Sequence, residues 1–200
     1  MFKQLSKLMV KKATYKGIIS SEKAEENVYG LNAFLTLLLN ILTAALIGIS
    51  FQMFWEIVAF ITAFKTLRKY VGGSHEDTAL KCYISSCILY VVALVIIKYY
   101  PFTALMTTIG MVCNAVILII VAPVEAIKKP LDEIETKVFK FRSRITILVT
   151  LCIFTALHYI PNAYCYYYSI VVAVSTTFVM IFAIEGKIKL NRVKKQAVIL

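Results

Sequence analysis

Residues 28–64 read VYGLNAFLTLLLNILTAALIGISFQMFWEIVAFITAF, and Glu56 is the one charged residue among them. A transmembrane helix needs about 20 predominantly apolar residues, because each residue advances the helix by roughly 1.5 Å and the hydrocarbon core is roughly 30 Å thick. A stretch of nearly forty such residues is too long for one span and has the length of two. The sequence therefore predicts a pair of adjacent transmembrane helices in this region.

The turn between these two helices is expected where the stretch is least apolar, at Gly48, Ser50 and Gln52. The second helix would then extend to about Leu67. The long aliphatic stem of Lys65 lets its ammonium group reach the membrane surface from within that helix.

Four further runs carry few charges and have lengths near that of a membrane helix: 82–97, 102–122, 145–160 and 163–184. Of the 200 residues, 60% are hydrophobic and 16% are charged, whereas soluble domains are about half apolar and about a quarter charged. A soluble fold with this composition would lack the polar residues that cover its surface. We therefore expect an all-α, polytopic integral membrane protein.

The net charge of +11 bears on partners and orientation. In a soluble chain such an excess would suggest nucleic acid. Here the basic residues lie between the apolar runs, so we assign them to orientation in the membrane and to attraction for anionic lipid headgroups. Membrane lipids are thus expected partners, and nucleic acid is not.

The basic residues also predict the topology. Segments 1–27, 65–81, 98–101, 123–144 and 185–200 hold six, four, one, six and five of them. If every segment except 98–101 faces the cytoplasm, 21 of the 22 basic residues lie inside, as the positive-inside rule requires. We predict about six transmembrane helices with both termini cytoplasmic. In a four-helix alternative, the second and third runs lie in the membrane without crossing it.

The predicted organisation is a single membrane domain over residues 1–200 with three cytoplasmic segments. In the first, 1–27, apolar residues recur at helical spacing among lysines, which predicts an amphipathic helix lying on the inner leaflet. The second segment, 65–82, is a loop with chemistry-bearing side chains, and the third, 123–144, is a basic loop.

The loop stretch 68–82 reads RKYVGGSHEDTALKC and contains His75 and Cys82. Seven residues are two helical turns, so on one helix these side chains would share a face but lie roughly 10 Å apart. They meet only if the His75 segment folds back, and Gly72 and Gly73 give the backbone that freedom. An imidazole beside a thiol is the minimum arrangement for thiolate chemistry.

Taken alone, this pattern is weak evidence for an enzyme. A histidine in a loop is usually a surface residue, and a cysteine in a helix is usually a small hydrophobe. Zinc binding by His75, Cys82 and Cys87 would lack a fourth ligand at a sensible spacing, so we expect no metal. No nucleotide-binding motif is present, and we expect no cofactor.

The order Arg-x-x-x-Gly-Gly-x-His-x-x-x-x-x-x-Cys at 68–82, in a basic membrane chain of this length, resembles the AgrB family. AgrB is the accessory gene regulator protein B of bacterial peptide quorum sensing. A second block, APVEAIKKP at 122–130, resembles an Ala-Pro and basic-Pro loop of the same family. The resemblance extends over the whole chain.

The resemblance implies a membrane cysteine endopeptidase of the bacterial cytoplasmic membrane with its active site on the cytoplasmic side. Cys82 would be the nucleophile and His75 the general base. The enzyme would cut an AgrD-like autoinducer propeptide through a Cys acyl-enzyme thioester, and a Cys or Ser of the propeptide would then close a thiolactone or lactone ring. A homodimer is also implied.

Five other residues receive supporting roles, the first three from the same resemblance and the two lysines from electrostatics. Gly72 and Gly73 would shape the loop, and Arg68 would bind a carboxylate or the acidic C-terminal part of the precursor. Lys128 and Lys129 would attract that acidic part electrostatically, or they are simply cytoplasmic positive-inside charges.

Two interpretations that assign the chain to a different functional class remain open. A small membrane carrier or peptide exporter would leave the His–Cys loop incidental, but it predicts polar or broken helices around a midplane site. A non-enzymatic scaffold predicts that substitution of Cys82 changes nothing. The largely unbroken apolar runs favour the enzyme.

Overall fold

The computed structural model describes residues 2–18, 20–73, 78–125 and 132–199. These residues form helices joined by short connections, and within them the one β-type contact is an isolated bridge between Gly72 and Val124. The helices are α1 (Lys3–Tyr15), a 3-10 turn (Ser21–Lys23), α2 (Ala24–Ser50), α3 (Phe54–Val71), α4 (Ala79–Tyr99), α5 (Ala104–Val121), α6 (Glu133–Tyr159) and α7 (Ala163–Ile199). The all-α prediction is confirmed.

Four helical segments of the described chain are long and apolar enough to cross a membrane. They are Ser21–Ser50, Ala79–Tyr99, Ala104–Val121 and Ala163–Lys195. The other two long helices, α3 and α6, carry more charge, but their 18 and 27 residues give them lengths of about 27 and about 40 Å. The chain is thus a membrane protein with at least four helices suited to spanning, and the count of six remains a prediction.

The predicted turn in the long apolar stretch is confirmed. Helix α2 ends at Ser50 and α3 begins at Phe54, and Gln52 between them has a φ of 59°. The two helices approach closely at Gly48, where an added Cβ would lie 2.6 Å from Cγ2 of Ile57. A glycine is therefore required at the point where α2 and α3 pack together.

Helix α7 forms the centre of the bundle, with α3, α5 and α6 packed against it. Every residue from 169 to 176 is buried. Edge-to-face contacts join α3 to α7, between Phe60 and Phe178 at 6.1 Å and between Phe64 and Phe182 at 6.0 Å. Residues 169–176 of α7 are therefore enclosed by neighbouring helices.

Helix α1 packs along the start of α2. Its Ser6 and Val10 are buried, and the backbone N–H of Phe2 donates to Oδ1 of Asn32 at 3.0 Å. The lysines of α1 are exposed. This arrangement suits a helix lying on the membrane surface, which remains a prediction.

Helices extend further into the two predicted cytoplasmic loops than their charge suggested. Residues 65–71 complete α3, and residues 133–144 form the first part of α6. The start of α6 is fixed by Asp132, whose side chain accepts from the backbone of the first turn while Glu135 accepts from the N–H of Asp132 at 3.3 Å. The charged residues mark the expected edge of the membrane, whereas the helices continue past it.

Candidate functional site

The block at 68–82 lies where α3 ends and α4 begins. Arg68 is in the last turn of α3, and Cys82 is the fourth residue of α4. The start of α4 is capped by Thr78, whose hydroxyl accepts from the backbone N–H of Lys81 at 3.3 Å. His75, the predicted general base, lies outside the described residues. The structure therefore describes the nucleophile side of the predicted pair.

Cys82 is exposed and carries a free thiol. Its backbone N–H donates to the carbonyl of Thr78 at 3.0 Å, which fixes the backbone of Cys82 in the first turn of α4. Exposure and a fixed backbone are properties that a cysteine nucleophile needs.

Gly72 and Gly73 allow three backbone segments to come together. Their φ angles are +79° and +137°, which L side chains rarely adopt. A Cβ at Gly72 would collide with the carbonyl oxygen of Val124, and one at Gly73 would lie 3.0 Å from the carbonyl oxygen of Phe182. The two glycines thus allow close approach as well as a turn.

The second sequence block packs directly against the first. The backbone N–H of Val124 donates to the carbonyl of Val71 at 2.8 Å, and Gly72 and Val124 form the isolated bridge. Ala122 and Val124 are buried. The remainder of this block, including Lys128 and Lys129, lies outside the described residues. The structure therefore brings together two motifs that are far apart in the chain.

Helix α7 supplies a third side of the site, which sequence reasoning missed. The ring centroid of Phe182 lies 4.6 Å from Cζ of Arg68, and that of Phe64 lies 5.5 Å away. Glu185 follows one helical turn after Phe182 and pairs with Lys189 at 2.7 Å. In the sequence, Phe182 and Glu185 stand three residues apart at the end of the last apolar run. This spacing was the signal that could have pointed to α7 as part of the site.

Burial and nearby charges have opposing effects on the protonation of Arg68. Arg68 lies just beyond Leu67, where the second span was predicted to end. Burial lowers the pKa of the Arg68 guanidinium, whereas the nearby Cys82 and Glu185 raise it. An arginine stays protonated in proteins, so Arg68 is a cation at this site.

A further ion pair joins the second block to the end of α7. Nζ of Lys194 lies 3.9 Å from Oε2 of Glu125, and the lysine side chain is largely exposed. Exposed pairs of this kind contribute about 0–1 kcal/mol. The ion pair therefore shows that the two segments lie close together, but it contributes little to stability.

The second histidine lies at the opposite end of the bundle. Two hydroxyls flank the His158 ring: Oγ of Ser169 is 3.1 Å from Nδ1, and Oγ1 of Thr108 is 3.2 Å from Nε2. The ring is 9% exposed and stacks on Phe154 at 5.0 Å. The ring therefore lies inside the bundle, within hydrogen-bonding distance of hydroxyls on α5 and α7.

The other four cysteines lie on α4, α5, α6 and α7 and carry free thiols. Cys113 and Cys152 are exposed on the outer faces of their helices, and Cys87 and Cys165 are partly buried. Lipid chains are as apolar as a protein core, so an apolar run does not indicate which of its residues face inwards.

Among the described residues, no group of three or more His, Cys, Asp or Glu side chains is placed to hold a metal ion.

Comparison with known proteins places this geometry in context. A family model described as accessory gene regulator B matches residues 3–184. The "Putative AgrB-like protein" of Clostridium perfringens (strain SM101 / Type A) is 28% identical over 138 residues, which are 66% of this chain and 64% of that protein. The "Putative AgrB-like protein 2" of Clostridium perfringens (strain 13 / Type A) is 28% identical over 89 residues, 44% of this chain and 42% of that protein. The match thus spans less than two thirds of either relative, and no solved structure matches the chain.

Proposed function

Because the chain belongs to the accessory gene regulator B family, we propose that it is a membrane cysteine endopeptidase that cleaves and cyclises an AgrD-like propeptide for quorum sensing. The observation that carries the proposal is the placement of Cys82. Its exposed thiol lies at the start of α4, the helix that follows the contact between the two motif blocks at Gly72 and Val124.

The first chemical step is attack of the Cys82 thiolate on the carbonyl carbon of the scissile peptide bond. His75 takes the thiol proton and delivers it to the nitrogen of the leaving fragment as the C–N bond breaks. The N-terminal part of the propeptide is then bound to Sγ as a thioester. A backbone fixed at the helix N-terminus keeps this sulfur in one place during the reaction.

In the second step, a thiol or hydroxyl of the propeptide attacks the thioester carbonyl and releases the Cys82 thiolate. The product is a macrocyclic thiolactone or lactone. A thioester is exchanged for another acyl bond, so ring closure requires no nucleotide. Water must be excluded from the acyl-enzyme, and a site at the edge of a membrane suits this requirement.

The proposal places this end of the bundle in the cytoplasm, with six membrane crossings and both termini inside. The distribution of charge supports it. Lys98 is the one basic residue near the turns at the opposite end of the described bundle, and its Nζ donates to the carbonyl of Phe51 at 3.0 Å. The positive-inside rule assigns the more basic end to the cytoplasm.

The proposed partners are the propeptide, membrane lipids and a second copy of the chain. Lys128 and Lys129 would attract the acidic part of the propeptide, and their position in the second block supports this role because that block contacts the first at Gly72. Arg68 would lie in the same site. Chemical cross-linking in intact membranes tests the homodimer by the appearance of a band at twice the mass of the chain.

Cleavage of a synthetic AgrD-like propeptide by the purified chain in liposomes tests the enzyme. Cleavage and ring formation should disappear in Cys82→Ser and in His75→Ala, and both should persist in the matched control Cys87→Ser on the same helix. A carrier or scaffold would give the same result with wild type and Cys82→Ser. Equal cleavage by those two proteins would therefore exclude a Cys82 nucleophile.

A further inference from the structure

An apolar groove runs between α3 and α6 on the surface of the bundle, and α7 contributes to its lining. Its volume is about 580 Å³. On the α3 side, the small side chains of Ala59 and Ala63 leave the space open. On the α6 side, the groove is lined by Ile145, Val149 and Ile153, which are all exposed. The described helices therefore leave an apolar surface uncovered here.

The four threonines that line the groove do not make it a polar site. Thr62 and Thr66 of α3 and Thr146 and Thr150 of α6 each donate to the carbonyl four residues earlier in their own helix, at 2.7–2.8 Å. These hydroxyl donors are thus satisfied within the helices, and the methyl groups remain for contact with a ligand. The groove is suited to a hydrocarbon chain.

The groove has about the length of one membrane leaflet. Its lining on α6 extends from Ile145 to Leu157, and this difference of 12 positions corresponds to about 18 Å along a helix. The hydrocarbon core of a bilayer is roughly 30 Å thick, so one leaflet contributes roughly half of that thickness. One acyl chain of a single leaflet would therefore fill the groove along its length.

Two cations lie at the end of the groove that is nearer the motif blocks. On α3, Lys69 and Tyr70 follow Thr66 by three and four residues, so they share its face of the helix. Nζ of Lys69 lies 5.3 Å from the ring centroid of Tyr70. On α6, Arg142 precedes Thr146 by four residues and shares its face in the same way. Both cations are exposed, so an anionic group at this end can reach them.

The opposite charge at the other end decides between a lipid and a second copy of the chain. Glu56 precedes Ala59 by three residues and lies at that end. In a two-fold dimer within a membrane, both copies present the same surface at the same depth. Lys69 and Arg142 would then face like charges, and so would Glu56, which is unfavourable at an interface. An anionic lipid instead meets opposite charge at the basic end.

We propose that the groove between α3 and α6 binds an acyl chain of an anionic phospholipid, whose phosphate is held by Lys69 and Arg142. The lipid belongs to the leaflet at the end of the bundle that holds the motif blocks. The inference goes beyond the peptidase proposal and does not depend on it, because neither Cys82 nor His75 takes part.

The test is the retention of lipid by the delipidated full chain in detergent, measured by native mass spectrometry without propeptide. The probes are dioleoyl phosphatidylglycerol and dioleoyl phosphatidylcholine at equal concentration, because they share their acyl chains and differ in net charge. The variant Lys69→Gln with Arg142→Gln removes the two cations. The variant Ala63→Leu places a larger side chain in the groove and leaves the charge unchanged.

The matched control is Lys65→Gln with Arg144→Gln, which changes the net charge of the chain by the same amount. Lys65 lines a different pocket, between α3 and helices α2 and α4. Arg144 is two residues from Arg142, and residues at that spacing do not share a face of a helix. The control therefore leaves the groove and both of its proposed cations in place.

We expect the wild-type chain to retain phosphatidylglycerol in preference to phosphatidylcholine. Loss of Lys69 and Arg142 should lower the retention of phosphatidylglycerol by about ten- to thirtyfold, because each basic residue near the membrane surface strengthens attraction to an anionic lipid. Ala63→Leu should lower the retention of both lipids, since it takes space from the acyl chain that they share. The control should retain both lipids as the wild type does.

Equal losses in the two double variants would overturn the proposal, because net charge alone would then explain the attraction. Unchanged retention of both lipids by Ala63→Leu would overturn it as well. If that variant also loses the dimer or propeptide binding, the occupant of the groove is a second copy or the propeptide. The charge substitutions are at exposed positions, so they decide the question if Ala63→Leu does not fold.

Discussion

The substitution Gly72→Ala tests whether the two motif blocks are held together as the structure describes. Gly72 has φ +79° and ψ −156°, a combination that is essentially restricted to glycine. The added methyl group would also meet the carbonyl oxygen of Val124. The chain must therefore change the backbone at position 72, move the Val124 segment, or both.

The expected loss in the free energy of unfolding of Gly72→Ala follows from these contacts. Holding alanine in a glycine-only region costs about 1–3 kcal/mol. Displacing Val124 also breaks its N–H bond of 2.8 Å to the carbonyl of Val71, which contributes about 0.5–1.5 kcal/mol. The free energy of unfolding should fall by about 2–4 kcal/mol, which lowers Tm by about 4–16 °C for a chain of this size.

The assay is thermal unfolding in detergent micelles, with propeptide cleavage measured per folded molecule. The matched control is Gly110→Ala, because Gly110 lies within α5 and a Cβ there meets nothing within 4 Å. That variant should unfold at or slightly above the wild-type temperature, since alanine favours helix. If Gly72→Ala has the same Tm as Gly110→Ala and cleaves the propeptide at the wild-type rate, the close approach of the two motif blocks is refuted.

Three further substitutions probe the bundle itself. Gly48→Ala should lower the free energy of unfolding by about 1–3 kcal/mol, since its Cβ would lie 2.6 Å from Cγ2 of Ile57; an unchanged Tm would contradict the described α2–α3 contact. His158→Ala removes a buried ring with two hydrogen-bonding neighbours and should cost about 2–4 kcal/mol. Its cleavage rate per folded molecule should equal that of wild type, and a lost rate would indicate a catalytic role instead. Asn114→Leu breaks the 2.8 Å bond to Oγ1 of Thr177 and should cost about 0.6–1.7 kcal/mol in thermal unfolding, whereas a loss above about 3 kcal/mol would require a further partner.

The positions of the apolar helices could be predicted because hydropathy is a local property. The run 102–122 became α5 at Ala104–Val121, and the turn predicted near Gly48 separates α2 from α3. The full lengths of α6 and α7 could not be predicted in this way. A charge shows where a helix leaves the membrane, and a helix rich in lysine and glutamate continues in water without an apolar signal.

The segment that contains Cys82 could be singled out from the sequence, whereas the residues that surround it could not, and the role of Cys82 stays a prediction. Cys82 and Arg68 lie in one short motif, so their order in the sequence was enough to single them out. The contributions of Phe182 and Glu185 depend on how α7 packs in the bundle, which sequence order does not specify. The same limit applied to His158, whose hydroxyl neighbours lie on two other helices.

The most direct test of the central claim is to trap the acyl-enzyme on Cys82. The chain is mixed with a synthetic AgrD-like propeptide, quenched in acid and analysed by intact-mass and peptide mass spectrometry. We expect a mass increase equal to the N-terminal propeptide fragment, located on Cys82, released by hydroxylamine and absent in Cys82→Ala. An adduct on another residue, or propeptide cleavage by Cys82→Ala, would contradict the account.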